Sequence, residues 1–269
     1  MKNMRRFLIV AAVLLGLALG SFGIAYAITN GQPDENRHPS VGLLIFRGEE
    51  GFWRCSGALL AEDVVLTAGH CTDGATAAWV SFDTHIERGT LPILEWLASG
   101  IFTTGTPYTH DDFCIGCGGG LPGFDTHDVG VVVLDEGVTE VGFAALPTEG
   151  LVDGLAMNTD VTLVGYGVQE QVVGGGPPYW VGSLTRYFAP TKLVASKHVQ
   201  SGEYIKLTAN PAQGKGGTCF GDSGGPDLLG DTILAVNSYV TNGNCAGVTY
   251  SNRIDTEYAL DFIDMYLNP

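Results

Sequence analysis

The stretch Gly221-Asp222-Ser223-Gly224-Gly225-Pro226 carries the strongest structural signal in this sequence. Three glycines surround one serine, and glycine adopts backbone conformations that other residues avoid. The stretch therefore predicts a tight turn that exposes the Ser223 hydroxyl and points backbone N–H groups at one spot. Taken alone, it is equally compatible with a glycine-rich turn that carries no chemistry.

Short apolar runs rich in β-branched residues occur along the whole chain on the amino-terminal side of this turn and beyond it. They are Val41–Phe46, Trp53–Leu60, Val64–Thr67, Ala77–Phe82, Val129–Leu134, Val161–Tyr166, Tyr204–Thr208, Thr232–Val240 and Val248–Ile254. Many short strands separated by turn residues favour an all-β barrel or sandwich. Two other segments, Leu91–Phe113 and Gln169–Trp180, look like long surface loops.

The C-terminal segment differs from the rest, because its apolar residues have a helical spacing. Asp255 precedes this segment and is a candidate helix cap. The residues that fall on one helical face are Tyr258, Ala259, Phe262, Ile263 and Tyr266. We therefore expect one short amphipathic helix at the end of a β protein.

Composition and charge exclude several classes of protein. The chain has 269 residues, and its hydrophobic content of 45 % excludes a solvated disordered chain. Its 29 acidic residues outnumber its 13 lysines and arginines, so that the net charge is −16. Such a chain is a poor partner for nucleic acid or an anionic membrane, because both are negatively charged.

The first residues resemble an export signal. Lys2, Arg5 and Arg6 precede an uncharged run that begins at Phe7 and ends in the small-x-small pattern Ala25-Tyr26-Ala27. This order of parts predicts a signal peptide over residues 1–27 and hence a secreted protein, extracellular or periplasmic. An uncleaved membrane anchor is the alternative, since the run is long enough to span a bilayer. Cleavage after Ala27 changes the net charge from −16 to −19, because the leader holds three basic residues and no acidic one.

Two further motifs place chemically active side chains beside apolar strands. Leu66-Thr67-Ala68-Gly69-His70-Cys71 sets a histidine directly after a strand, and Asp128 stands at the head of the strand Val129–Leu134. A core histidine and an exposed strand-end aspartate are the non-catalytic alternatives. A serine hydroxyl is a weak nucleophile, and it becomes reactive when a neutral imidazole takes its proton and a carboxylate orients that imidazole. His70, Asp128 and Ser223 supply these groups.

These motifs resemble those of the chymotrypsin/trypsin family of serine proteases. The resemblance extends over the chain from Ile28 to the C-terminal segment, and it implies two six-stranded antiparallel β-barrels with a short C-terminal helix. We expect residues 28–140 to form the barrel that carries His70 and Asp128. We expect residues 141–269 to form the barrel that carries Ser223, together with the helix.

The resemblance also implies a role for each residue at the reaction centre. Ser223 is expected to be the nucleophile, His70 the general base and then acid, and Asp128 the orienting carboxylate. The N–H groups of Gly221 and Ser223 are expected to form the oxyanion hole. Ser238 occupies the position whose hydroxyl supports the buried aspartate.

The expected substrate pocket lacks the carboxylate that trypsin-like specificity requires. The position that holds this carboxylate in enzymes cutting after Lys or Arg is Gly217 here. Val240 stands where glycine would admit aromatic rings, so we expect small or medium apolar residues before the cleaved bond. An aromatic preference is the alternative, because the alignment near Val240 is about one residue longer than usual. The full set of expected pocket residues is Gly217, Thr218, Ser238, Tyr239, Val240 and Gly247.

Activation is expected to depend on a new N-terminus. In this family an N-terminal residue, usually isoleucine, folds inward and pairs with the aspartate beside the catalytic serine. Ile28 and Asp222 are the matching residues, and Ile28 directly follows the predicted cleavage at Ala27. We therefore expect export itself to release the active N-terminus.

Six cysteines behind an export signal favour disulfides, although their spacing alone does not select the pairs. The resemblance implies Cys55–Cys71 and Cys219–Cys245. Cys114-Ile115-Gly116-Cys117 lies outside the family pattern, and we expect a local structural disulfide there. A labile redox pair or half of a zinc site is the alternative.

The predicted function is therefore that of a secreted serine endopeptidase. We expect no metal and no other cofactor, protein or peptide substrates, a protein inhibitor as a further candidate partner, and a monomeric state. We expect no membrane contact after signal cleavage. The alternatives are an esterase or other acyl transferase with the same three residues, and a binding protein that has the fold without the activity.

Overall fold

The computed structural model describes residues 28–119, 124–168, 170–172, 179–195, 202–210 and 213–269. The predicted signal peptide and the glycine-rich centre of the Gln169–Trp180 segment lie outside these residues. Within them, no helix has the length and apolar character needed to cross a membrane.

Six strands of the first half of the chain close into an antiparallel barrel. In the order around the barrel, they are β2 (Val41–Gly48), β3 (Gly51–Ala61), β4 (Val64–Thr67), β8 (Gly130–Leu134), β7 (Thr103–Thr109) and β5 (Ala75–Ser81). Long runs of these strands are fully buried, because one face fills the barrel and the other packs on neighbouring elements. The barrel is therefore a packed core and leaves no open channel.

Six strands of the second half form a second antiparallel barrel, which the pairing between its first two strands closes. They are β9 (Asp160–Gly165), β13 (Tyr187–Ala195), β14 (Tyr204–Ala209), β17 (Gly247–Arg253), β16 (Thr232–Val240) and β15 (Pro226–Leu229). The expected architecture of two six-stranded barrels is confirmed.

Short elements connect or extend the barrels. The strand pairs are β6 (His85–Ile86) with β12 (Leu184–Thr185), and β10 (Glu170–Val172) with β11 (Tyr179–Val181), while β1 (Gln32–Pro33) extends the second barrel. The helices are α1 (Gly69–Thr72), α2 (Ile93–Leu97), a 3-10 turn at Leu151–Gly154, and α3 (Glu257–Leu267).

Each end of the chain crosses to the opposite barrel. Ile28 is fully buried in the core of the second barrel, and β1 pairs there with β13. The helix α3 instead buries Phe262 and Ile263 in the core that contains the first barrel. These crossings hold the two barrels together, because neither core is complete without the other half of the chain.

Three expectations about local structure were wrong. The Gln169–Trp180 segment is not wholly loop, because its two ends belong to the paired strands β10 and β11. The Leu91–Phe113 segment is not a plain loop, because it contains α2 and β7, the strand that lies between β5 and β8. Asp255 does not cap α3: Thr256 is the N-cap residue, and the Asp255 carboxylate accepts hydrogen bonds from Arg253 and from the Val152 backbone. The predicted helical face itself is buried at Ala259, Phe262 and Ile263.

Candidate active site

The histidine loop and Asp128 come together inside the first barrel. His70 lies in α1, directly after β4, and its backbone N–H donates to Asp128 Oδ1 at 2.8 Å. Its ring Nδ1 lies 2.9 Å from Asp128 Oδ2. The Asp128 side chain is fully buried, whereas that of His70 is 25 % exposed. The imidazole is therefore anchored on one edge and open on the other.

Ser238 of the second barrel completes the surroundings of Asp128. Its hydroxyl donates to Asp128 Oδ2, as the family resemblance implied, and the Tyr204 hydroxyl lies 3.3 Å from the same Ser238 oxygen. Burial alone raises the pKa of Asp128, but the charge and hydrogen bonds of His70 and the Ser238 hydroxyl outweigh it and lower that pKa. Asp128 is thus an ionised carboxylate at neutral pH.

Asp128 in turn raises the basicity of His70. Burial lowers the pKa of the imidazole, but the charge and hydrogen bond of Asp128 reverse this effect, so that the net pKa is raised. Asp125 adds a smaller contribution in the same direction. The result is an oriented base whose charged form is stabilised by the carboxylate behind it.

The glycine-rich turn has the geometry that the sequence predicted. Gly221 and Gly224 have φ values of +97° and +75°, in the region that favours glycine. A methyl group on Gly224 would collide with the side chain of Thr67, in the strand leading to His70. Ser56 of β3 holds the turn, because its backbone N–H donates to the Ser223 carbonyl at 2.8 Å and its hydroxyl donates to the Gly221 carbonyl at 2.9 Å.

The turn leaves two backbone donors unused. The N–H groups of Asp222, Gly224 and Gly225 donate to backbone carbonyls. Those of Gly221 and Ser223 have no acceptor in the part of the chain that the structure describes. Free, fixed N–H groups beside a serine are the donors that an oxyanion requires.

The Ser223 hydroxyl makes no hydrogen bond to His70 among the described residues. Such bonds are often long in a substrate-free site and tighten when substrate binds. The partly exposed side chain of Ser223 lines a cavity of about 240 Å³. The Ser223 side chain is therefore accessible from this cavity.

Ile28 and Asp222 meet in the interior, as the resemblance implied. The backbone N–H of Ile28 donates to the Asp222 carboxylate, which also accepts from the N–H groups of Gly167 at 2.7 Å and Cys219 at 2.9 Å. With residue 27 still attached, no ammonium faces this carboxylate. Burial then raises the pKa of Asp222 to about 7, against the lowering by these three donors and by the charge of Arg54.

The cavity beside Ser223 is lined by some, not all, of the residues expected for the substrate pocket. Its lining includes four of the expected residues, Thr218, Ser238, Tyr239 and Val240, together with Cys219, Phe220, Ser223 and Asn237. The other two expected residues lie outside this lining. Gly217 pairs with Thr29 through backbone hydrogen bonds of 2.9 and 3.2 Å, and Gly247 is exposed with a φ of +94°.

A cluster of polar side chains lies behind this pocket and was missed in the sequence. The register places Asp227 opposite Ala235, and Asn237 opposite Ser251, so that these side chains share the inner face of the second barrel. Asp227 is fully buried, and neither of its oxygens has a hydrogen-bond partner of good geometry among the described residues. The Asn237 amide is equally unpartnered there. An alternating pattern in the sequence predicts which residues of a strand face the interior. It does not predict that polar residues among them will lack hydrogen-bond partners.

A third carboxylate also approaches the base. One donor atom from each of His70, Asp125 and Asp128 lies within 4.8 Å of the other two. No sequence motif identifies Asp125, which the structure half-buries and whose Oδ1 accepts a hydrogen bond from the Gly116 N–H at 2.8 Å. Burial, together with the charge of Asp128, raises the pKa of Asp125.

All three expected disulfides are formed, namely Cys55–Cys71, Cys114–Cys117 and Cys219–Cys245. Cys55 lies on β3 and Cys71 lies in α1 beside His70, so the first bridge fixes the histidine loop to the barrel. The third bridge joins Cys219 of the pocket wall to Cys245. Cys114–Cys117 closes a small loop next to Thr126, near Asp125.

Comparison with known proteins agrees with this arrangement. The Trypsin family model matches residues 28–263. Serine protease 1 of Drosophila melanogaster is 38 % identical over 74 residues, a match that spans 27 % of this chain and 27 % of that relative. Trypsin theta of Drosophila erecta is 26 % identical over 249 residues, covering 86 % of this chain and 87 % of the relative.

A solved structure shares the fold. HL collagenase superposes with a TM-score of 0.68 at 16 % identity, covering 91 % of this chain and 98 % of the collagenase. The family model covers most of the chain. The chain therefore belongs to the trypsin family of serine endopeptidases.

Proposed function

We propose that this protein is a secreted serine endopeptidase that cleaves peptide bonds through an acyl-enzyme on Ser223. The observation that carries the proposal is the bonded series Ser238–Asp128–His70, which ends in a partly exposed imidazole. The residues just before His70 lie against the Ser223 turn, since a methyl group on Gly224 would meet Thr67 Oγ1 and the Ala68 nitrogen. The two unused N–H groups of that turn support it.

The chemistry follows from the positions of these groups. Ser223 Oγ attacks the carbonyl carbon of the scissile bond while His70 Nε2 takes its proton, and the charge that develops on the carbonyl oxygen is held by the N–H groups of Gly221 and Ser223. His70 then gives the proton to the leaving nitrogen, and the C–N bond breaks. Water attacks the resulting ester with His70 again as base, which releases the acid and restores Ser223.

For the residue before the cleaved bond, we propose a small or medium apolar side chain. Val240 lines the pocket and narrows it, and Gly217 supplies no carboxylate to attract a basic side chain. An aromatic preference is the alternative. Because apolar fit distinguishes neighbouring side chains by only about 1–3 kcal/mol per methylene, the preference is expected to be broad.

One observation favours a second candidate preference, for a medium side chain with a hydrogen-bonding end. Asn237 lines the pocket, and its amide has no partner among the described residues. A substrate group that pairs with this amide would remove the cost of a buried unsatisfied polar atom, about 1–3 kcal/mol. Glutamine and threonine are the side chains that test this preference against valine and leucine.

Export and activation are proposed to be one event. The leader pattern over residues 1–27 and the three closed disulfides support an oxidising compartment outside the cytoplasm. The family match begins at Ile28, the residue that a cut after Ala27 would expose. We also propose a monomer acting on protein or peptide substrates, with a protein inhibitor as a further partner.

The test is to incubate residues 28–269 with a diverse peptide library and to locate the cuts by mass spectrometry. Ser223→Ala is expected to lower kcat by about a millionfold, as loss of such a nucleophile does elsewhere. The matched control Ser99→Ala, at an exposed serine, is expected to leave the cuts unchanged. Cuts that persist in Ser223→Ala would overturn the mechanism, and a folded, inactive protein that starts at Ile28 would favour a binding function.

A further inference from the structure

A second groove lies beside the Ser223 turn and belongs to no part of the site described so far. It has a volume of about 520 Å³ and shares no lining residue with the pocket beside Ser223. Its walls are largely aromatic and aliphatic, and two arginines complete them. We call it the arginine groove; its main lining residues are Phe52, Trp53, Arg54, Arg88, Trp96 and Leu184.

Arg54 stands directly against the oxyanion turn. It is two residues before Ser56 on β3, so both side chains project from the same face of the strand. Ser56 is the residue that bonds the carbonyl groups of Gly221 and Ser223. A methyl group on Gly221 would lie 2.7 Å from Arg54 Nε. The guanidinium is therefore a close neighbour of the reacting carbonyl position.

Among the residues that the structure describes, no carboxylate lies within ion-pair distance of Arg54. Arg54 makes no hydrogen bond to these residues either, although it is only partly exposed. Burial lowers its pKa, and the carboxylate that acts against this effect is Asp222. Asp222 is fully buried and already accepts three backbone hydrogen bonds, so it is not a partner inside the groove.

The second arginine adds to the same field. Arg88 is exposed, and its guanidinium lies over the ring of Trp96 at 5.8 Å from the ring centre. A net charge of −16 makes the chain strongly acidic, so two arginines in one groove are a local exception. A partly buried cation without a counter-ion gains most from an anionic ligand that also fills the apolar walls.

The position of the groove indicates which part of a ligand reaches it. The substrate residue before the cleaved bond enters the pocket lined by Ser238, Tyr239 and Val240. The chain that follows the bond must leave Ser223 outside that pocket, and Arg54 lies against Gly221 in a groove that shares no lining residue with the pocket. We propose that the arginine groove binds an acidic substrate side chain located after the scissile bond, with Arg54 as the specificity-determining residue. This inference rests on the proposed endopeptidase function.

The experiment compares kcat/KM for peptides that are identical except for Glu, Gln or Lys at the first or second position after the cleaved bond. We expect Glu to exceed Gln by about tenfold at one of these positions, the range expected for a hydrogen bond to a charged group. Because the interaction is electrostatic and partly exposed, the ratio should shrink when the salt concentration is raised to about 0.5 M.

Variants of Arg54 identify the residue responsible. Arg54→Gln should remove the Glu preference, Arg54→Glu should reverse it in favour of Lys, and Arg54→Lys should retain part of it. Arg37→Gln is the matched control, since Arg37 is an exposed arginine that pairs with Glu35 and does not line the groove. It should leave the preference unchanged. Melting temperatures of all variants confirm that they are folded.

The outcomes separate this inference from the function on which it rests. Equal rates for the Glu, Gln and Lys peptides, with activity that Ser223→Ala abolishes, would overturn the role of the groove and leave the endopeptidase intact. A Glu preference that survives Arg54→Gln would overturn the assignment to Arg54. Absence of any Ser223-dependent cleavage would overturn the proposed function itself and this inference with it.

Discussion

The backbone nitrogen of Ile28 donates to the Asp222 carboxylate, and both residues are completely buried. This contact joins the start of the described chain to the residue that precedes Ser223. Without a positive charge on that nitrogen, burial holds the pKa of Asp222 at about 7. A free α-ammonium at Ile28 would supply the charge, so that the carboxylate remains ionised and the turn is held in place.

Activity is therefore expected to require a free N-terminus at Ile28. A free α-amino group has a pKa near 8, and pairing with Asp222 raises it. This pairing stabilises the folded protein fully at pH values below the ordinary pKa of the amino group. The stabilisation is lost as the pH rises through the raised pKa of the folded state. We expect kcat to fall on the alkaline side, and a protein with one extra alanine before Ile28 to lose most activity at every pH. N-terminal sequencing and a pH–rate profile check this, and full activity of the extended form would contradict it.

Arg186 forms a buried ion pair with Asp34, and removal of this pair is expected to destabilise the folded protein strongly. Arg186 Nε lies 2.8 Å from Asp34 Oδ2, and neither side chain is exposed. Burial raises the pKa of Asp34, but hydrogen bonds from His38 and Arg186 lower it to about 2. Arg186→Met should therefore cost about 3–5 kcal/mol of unfolding free energy, because Asp34 is left charged without its partner.

The control for this prediction is Arg37→Met. Arg37 pairs with Glu35 on the surface at 3.2 Å, and an exposed pair of this kind contributes about 0–1 kcal/mol. Urea unfolding at neutral pH measures both variants. Similar losses of unfolding free energy in Arg186→Met and Arg37→Met would contradict the prediction that burial makes the Arg186 pair the more stabilising one.

The buried Asp227 is expected to make the protein less stable as pH rises. Burial raises the pKa of its carboxyl to about 8, which Ser251 lowers only in part. The folded pKa lies above the ordinary value of 3.8, so the folded state holds an extra proton, and stability decreases between about pH 4 and pH 8. Asp227→Asn should remove this dependence on pH. The stability of the variant relative to the wild type should be higher at pH 8 than at pH 5 by a few kcal/mol, or roughly 5 °C in Tm.

Asp231→Asn is the matched control for Asp227, since Asp231 is an exposed aspartate in the turn after β15. The Tm of this variant should depend on pH as that of the wild type does over the same range. Parallel pH dependence of wild type and Asp227→Asn would mean that Asp227 is not the group that ionises.

Asp125 is expected to shift the acid limit of activity, which His70 sets. Catalysis needs the neutral form of His70, whose pKa is raised above 6.5, so kcat/KM should fall as pH drops through that raised value. The charge of Asp125 contributes to the increase, and Asp125→Asn should move the acid limb to lower pH by about half a unit. The same substitution at exposed Asp261 should leave the limb in place, and an unmoved limb in Asp125→Asn would refute the role of this carboxylate.

Four strands of the first barrel show why the fold was only partly predictable from sequence. The runs that became β2, β4 and β8 were recognised, because their apolar residues are continuous and each is buried. The sequence predicts loop for the segment Thr103–Thr109, since this segment is polar and contains Gly105 and Pro107. It becomes β7 because β5 and β8 supply its hydrogen bonds on both sides, and tertiary pairing of this kind overrides local propensity.

By itself, the sequence determined the reacting groups: the motifs around His70, Asp128 and Ser223 identify the chemistry because each needs a specific side chain in a specific local turn. The tertiary structure alone decided what surrounds these groups. Asp125 lies beside His70, Asn237 and Asp227 are buried without hydrogen-bond partners among the described residues, and Arg54 lies against Gly221. These surroundings depend on contacts between segments far apart in the chain. Burial and charge act through space, so no local pattern encodes them.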